Sequence, residues 1–183
     1  MKKIILISML FAIGLGISPL SAQKSNYIHV SGDMGLVVNT DKDKKFGIGG
    51  TIGWLTQDNL ISMNPNNYLS LSVKAINNPY GEGKILSSIM NDADDAFNYI
   101  MPLAGYRITK HGITNGFFVE PRLGAVFGAS YSGLAFSPIA GYTVNQFDFS
   151  FYCDMGFGSN KSAMGEKNFF MPGFSVAYNI GIY

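Results

Sequence analysis

The chain has 183 residues, enough for one domain with a substantial core, and a formal charge of +1 gives no reason to expect nucleic acid or an acidic partner. Its single cysteine, Cys153, excludes an internal disulfide and a thiolate-rich metal site. Charged residues at 14%, against 14% aromatics and 22 glycines, leave less charge than a soluble domain of this size usually carries.

Residues 1–22, "MKKIILISMLFAIGLGISPLSA", have the layout of a secretory signal peptide. Lys2 and Lys3 form the positive end, Ile4 to Ile17 the apolar stretch, and Pro19 with Ser21 and Ala22 the breaker and cleavage region. Cleavage after Ala22 is expected, leaving 23–183 as one β-barrel domain. The rival is a retained anchor, but the apolar stretch is short for a spanning helix and the chain turns polar at once with "QKSN". Downstream of it, no segment is apolar for long enough to form a transmembrane helix.

Eight strand-like segments follow, each with period-2 alternation. The first, 27–39, sets Ile28, Val30, Met34, Leu36 and Val38 against His29, Ser31, Asp33 and Gly35. The second, 46–56, carries Phe46, Ile48, Ile52 and Trp54 on its apolar face, and the third, 67–77, carries Leu69, Leu71, Val73 and Ala75 opposite Ser70, Ser72 and Lys74. A long connection, 78–96, includes "KILSSIMNDA", a candidate helical turn. The fourth strand, 97–109, and the fifth, 116–128, form a hairpin around "KHGITNG". The sixth spans 134–144, the seventh 147–158 and the eighth 169–183. "PLAGYRIT" (102–109) and "PIAGYTVN" (138–145) share Pro-x-Ala-Gly-Tyr, which fits a hairpin repeated around a closed up-and-down sheet. Four prolines, 102, 121, 138 and 172, fall on the apolar face, where a residue without an N–H is awkward for a ladder.

Such alternation arises in a soluble lipocalin-like barrel, apolar inside, and in an outer-membrane barrel, apolar outside. Three features favour lipid. The weaker face is built from Gly, Ser, Thr, Asn and Ala, which suit a narrow interior. The few charges within strands are mixed in sign and able to pair across an enclosed space. Trp54, Tyr106, Tyr142 and Tyr178 lie toward the ends of the even strands on the apolar face, forming an aromatic belt, with phenylalanines at the other ends. In the fourth–fifth hairpin, a turn centred near 112–113 sets Gly105 opposite Glu120 and Arg107 one diagonal step away. The expectation is an interior cluster of Arg107, Glu120 and Arg122, joined by Asp154 from the seventh strand, that blocks a continuous water path.

The signal segment, the eight strands, "PLAGYRIT", "FFVEPRLGAVFG" and the terminal "SVAYNIGIY" resemble the small OmpX/OmpA-like outer-membrane β-barrels of Gram-negative bacteria. The resemblance implies an eight-stranded antiparallel transmembrane barrel in the cell outer membrane, monomeric, with lipid and the secretion and barrel-assembly machinery as its partners. Family members commonly end in an aromatic residue, and Tyr183 supplies one, although out of phase with Ile182, Ile180 and Tyr178. With both termini in the periplasm, loops near 40–45, 78–96, 129–133 and 158–168 face outward, and turns near 57–66, 110–115 and 145–146 face the periplasm.

Nothing in the sequence reads as an active site, a cofactor site or a metal site. His29 and His111 lack spacing partners, and "FGIGGTIG" lacks the Lys-Ser/Thr ending of a phosphate loop. "NDADDA" (91–96) lacks the grammar of a calcium loop. Two functions remain open: a structural or loop-mediated interaction barrel, and a small transport or ligand-binding barrel. A soluble periplasmic lipocalin-like binder is a third.

Overall fold

The computed structural model describes residues 25–39, 45–58, 61, 64–78, 98–128, 131–158 and 167–182. The expected signal peptide, most of the 78–96 connection with its candidate helical turn and acidic run, and Tyr183 lie outside them.

Ten β-elements are present: β1 (Asn26–Leu36), β2 (Phe46–Gln57), β3 (Tyr68–Asn77), β4 (Tyr99–Thr109), β5 (Asn115–Glu120), β6 (Arg122–Gly128), β7 (Tyr131–Phe136), β8 (Ile139–Val144), β9 (Phe147–Gly158) and β10 (Asn168–Ile182). They make eight strands, because β5 with β6 and β7 with β8 are continuous runs each cut by a proline. Every pairing is antiparallel, and β10 pairs with both β9 and β1, so the sheet closes into a barrel.

Two of the four awkward prolines mark the cuts. At Pro121 the carbonyl still accepts from Tyr106 N at 3.1 Å, and at Pro138 it accepts from Cys153 N at 3.2 Å. Only the missing N–H interrupts the ladder, on one side of the strand. Pro102 and Pro172 stay within β4 and β10.

The register, followed from β1 through each neighbour and back, returns about 10 residues further along β1. An eight-stranded barrel with such a stagger tilts its strands by about 40° and leaves an interior that side chains can fill. The faces are those the alternation predicts. Val30, Ile52, Trp54, Leu71, Val119 and Phe151 are exposed on the outside, whereas Asp33, Thr51, Lys74, Arg107 and Asp154 are buried within.

The β4–β5 register differs from the expectation. Gly105 faces Arg122, not Glu120, and Ile108 faces Val119, so the same alignment sets Arg107 directly opposite Glu120. The connection runs further than the expected turn because Gly112, at φ 70°, takes a left-handed conformation and Ile113 tucks into the barrel mouth, where it is buried. The slip is two residues, an even number, so every side chain keeps its face.

The β8–β9 turn is a two-residue hairpin in which Asn145 (φ 48°) and Gln146 (φ 74°) are both left-handed. That geometry matches the twist of a hairpin but strains a residue with a Cβ. The Gln146 carbonyl accepts from Asn179 N at 3.0 Å and from Asn179 Nδ2 at 3.1 Å, which holds the turn in place. Gln146→Gly keeps both bonds, since they use only backbone oxygen. It should raise stability by about 0.5–1 kcal/mol in urea titrations of the folded barrel.

Candidate functional site: the filled interior

Among the described residues, buried apolar side chains cluster toward both ends of the barrel. At the end where β1 begins and β10 finishes, Leu55, Tyr68 and Ile113 pack together with Tyr27, whose ring meets Tyr68 edge-on at 5.9 Å. At the opposite end a larger cluster includes Ile76, Tyr99, Met101, Val126, Phe169 and Met171. Glycine makes room for it: a Cβ on Gly156 would lie 2.1 Å from the Phe169 ring.

Two polar layers lie between these clusters. In the layer nearer the start of β1, Arg107 donates from Nε to Glu120 Oε2 and from Nη1 to Asp148 Oδ2, each at 2.8 Å. Thr143 Oγ1 donates to the other Asp148 oxygen at 2.7 Å. His29 Nδ1 is 2.8 Å from Asn179 Oδ1 and 3.8 Å from Asp148 Oδ2. The Arg107 guanidinium sits 4.1 Å above the Phe118 ring.

The second layer centres on Lys74. Its ammonium lies 2.8 Å from Asp154 Oδ2, 4.0 Å from Asp33 Oδ2 and 3.1 Å from the centre of the Tyr152 ring. Asp154 also accepts from Tyr99 OH at 2.7 Å and from Ser137 Oγ at 2.6 Å. Asp33 accepts from Ser31 at 2.9 Å, Thr51 at 2.6 Å and Ser175 at 2.5 Å. Arg122 donates to the Ser137 carbonyl at 3.1 Å and to Ser137 Oγ at 2.9 Å. Phe118, Ile139 and Tyr152 pack as one cluster and link the two layers.

The four residues expected as one cluster are therefore divided. Arg107 and Glu120 form a direct ion pair, whereas Asp154 belongs to Lys74 in the other layer. Arg122 reaches Asp154 through Ser137. Sequence reasoning left Asp33, Lys74, Asp148 and His29 out of the cluster, although the alternation of their strands sets each on the inward face. Alternation reveals that such residues point inside, but a hairpin register relates only adjacent strands. Lys74 of β3 and Asp154 of β9 meet across the barrel, which no hairpin predicts.

Outside, Trp54 and Tyr178 are exposed, and Tyr106 and Tyr142 are half-buried. Phe117 stacks edge-on against Tyr142 and Phe147 packs against Tyr178, each at 4.7 Å. Tyr106 is tied to the β2–β3 turn, donating to Asp58 Oδ2 at 2.6 Å and accepting from Asn67 Nδ2 at 3.2 Å. All four expected belt residues lie on the outer face toward the end where β1 begins and β10 finishes. Phe157 and Phe170, in contact at 6.3 Å, lie toward the other end.

Among the described residues no three of His, Cys, Asp and Glu are grouped so that they could hold a metal ion. The carboxylates of both layers are held by cations, hydroxyls or both. The arrangement joins the barrel wall to itself through its interior.

The fold defines this protein as a closed eight-stranded antiparallel β-barrel with ionic cross-links inside and apolar side chains outside. No family model, curated protein or solved structure matches the chain.

Proposed function

We propose that this chain is an integral outer-membrane β-barrel, closed to solutes by its own side chains, with a structural role or an interaction role exercised through its loops. The observation that carries this reading is the inverted distribution of side chains. Arg107 and Lys74 are almost wholly buried, at 1% and 0% exposure, whereas Phe117 and Phe151 are 79% and 73% exposed. In water each exposed Phe forgoes about 1.5–3 kcal/mol of burial. Soluble monomers rarely show apolar patches beyond a few hundred Å². A lipid surround removes that cost. The outward rings near both barrel ends suit two membrane interfaces.

The same distribution counts against a lipocalin-like binder, whose apolar face lines a cavity. It also counts against a channel, because two apolar clusters and two ionic layers occupy the interior. Lipid is the standing partner, and the secretion and barrel-assembly machinery act during biogenesis. The barrel works as a monomer, without enzymatic chemistry.

Membrane fractionation with heat-modifiable gel migration tests the location. The protein should be extracted from outer membranes only by detergent, and the unheated form should run faster than the boiled one. Recovery in the soluble periplasmic fraction would overturn the reading. Planar-bilayer recordings test closure: reconstituted barrel should leave conductance at baseline, and stable single-channel steps would favour transport.

A further inference from the structure

The β4–β5 turn carries two basic side chains that the interior does not use, Lys110 and His111, both exposed. They line a polar cavity of about 520 Å³ together with Asn66, Asn115 and Tyr142, and none of its lining residues is acidic. A second, apolar groove of about 360 Å³ adjoins it, lined by Ile108, Phe117 and Val119 on the outer face and sharing Lys110. Phe117, which stacks on Tyr142, stands between the two.

The turn is built before any ligand arrives. Asn66 Nδ2 donates to the Lys110 carbonyl at 2.6 Å, Thr114 Oγ1 to the His111 carbonyl at 3.0 Å, and Thr109 N to Asn67 Oδ1 at 3.2 Å. Gly116 takes φ 135°, and a Cβ there would lie 3.1 Å from the His111 ring, so glycine leaves the imidazole room beside the strand. The Lys110 and His111 side chains are left facing the cavity, because the turn uses only their backbone atoms.

A polar, basic depression beside an apolar groove on the outer wall, the two sharing Lys110, is laid out as the headgroup and acyl chain of a phospholipid are. We infer that this corner binds one anionic glycerophospholipid, its phosphate held by Lys110 and His111 with amide help from Asn66 and Asn115, and one acyl chain lying along Ile108, Phe117 and Val119. The inference rests on the membrane reading, which puts the groove against hydrocarbon and the turn at headgroup level. Charge complementarity selects the anionic lipid.

The test is native mass spectrometry of refolded, detergent-solubilised barrel incubated with equal amounts of phosphatidylglycerol and phosphatidylcholine. One phosphatidylglycerol should be retained per barrel, about five-fold over phosphatidylcholine. The preference should vanish in a Lys110→Gln/His111→Gln variant, which keeps every backbone hydrogen bond of the turn. It should persist in Lys45→Gln/Lys167→Gln, which removes two exposed cations at the other end. Equal retention of the two lipids, or undiminished preference in the Lys110→Gln/His111→Gln variant, would overturn the inference. Displacement by inorganic phosphate at the lipid's own concentration would also overturn it, by showing a site for a free anion. Flotation of the same preparation with vesicles separates the two readings. A barrel that does not float refutes the membrane assignment, whereas one that floats without lipid preference refutes this site alone.

Discussion

Arg107→Met should cost about 3–5 kcal/mol of unfolding free energy. The guanidinium is the shared partner of Glu120 and Asp148, so its removal strands two buried carboxylates. Glu120→Gln should cost less, because Arg107 keeps Asp148 and stays neutralised. The double variant should be more stable than the sum of the single losses predicts, since neutralising position 120 removes one of the two stranded charges. Urea unfolding in detergent micelles, followed by Trp54 fluorescence and by the heat-modifiable gel shift, measures all three. Additivity within about 0.5 kcal/mol would mean that the groups act independently in a hydrated lumen, and the sealed interior would fall with it.

Phe151→Arg should destabilise the barrel by about 2–4 kcal/mol in lipid and impair its assembly. Phe151 points outward from the middle of β9, opposite Ala140 on one side and Phe174 on the other, with its ring 5.6 Å from that of Phe174. The prediction discriminates well because the two surroundings give opposite answers. In water an Arg at so exposed a position would be nearly neutral, within about 0.5 kcal/mol. In hydrocarbon it must be dehydrated or drag water inward. Folding into vesicles, compared between wild type and variant by gel shift, gives the answer. Equal yields would place this face in water.

Much of the fold was legible because a barrel strand repeats one simple rule. "FDFSFYCDMGFG" puts Phe147, Phe149, Phe151 and Phe157 outside and Asp148, Ser150, Tyr152 and Asp154 inside, as its alternation predicts. Period-2 counting carried the fifth and sixth strands straight through Pro121 and Pro138, where they do continue, and missed only that each proline divides its strand in two. The interior was less legible. Small residues suggested a narrow, polar lumen, yet Tyr99, Phe169 and Met171 also occupy inward positions and fill one end with apolar bulk. The charge cluster was half visible: Arg107 and Glu120 are hairpin neighbours, while Lys74–Asp154 and Arg107–Asp148 depend on the stagger of the whole barrel. That stagger is a sum over every turn, and one longer connection, such as 110–114, shifts a register by two.

The seam between β1 and β10 carries a consequence for biogenesis. Ile28 lies opposite Ile180, and Met34 opposite Phe174. The first strand described thus waits for the last one before its outer side is hydrogen-bonded. Every other strand meets its neighbours through a nearer connection, so closure is the slowest loop to form entropically and the final topological event. Until then both edges stay open and would recruit strands from other chains. Lys74 and its carboxylates also find their full set of partners only as the ring closes, since Asp33 of β1, Lys74 of β3 and Asp154 of β9 meet across it, whereas Arg107, Glu120, Thr143 and Asp148 lie on the consecutive neighbours β4, β5, β8 and β9. Zipping the seam and neutralising the Lys74 layer are therefore one cooperative step, and a partly synthesised chain can complete neither.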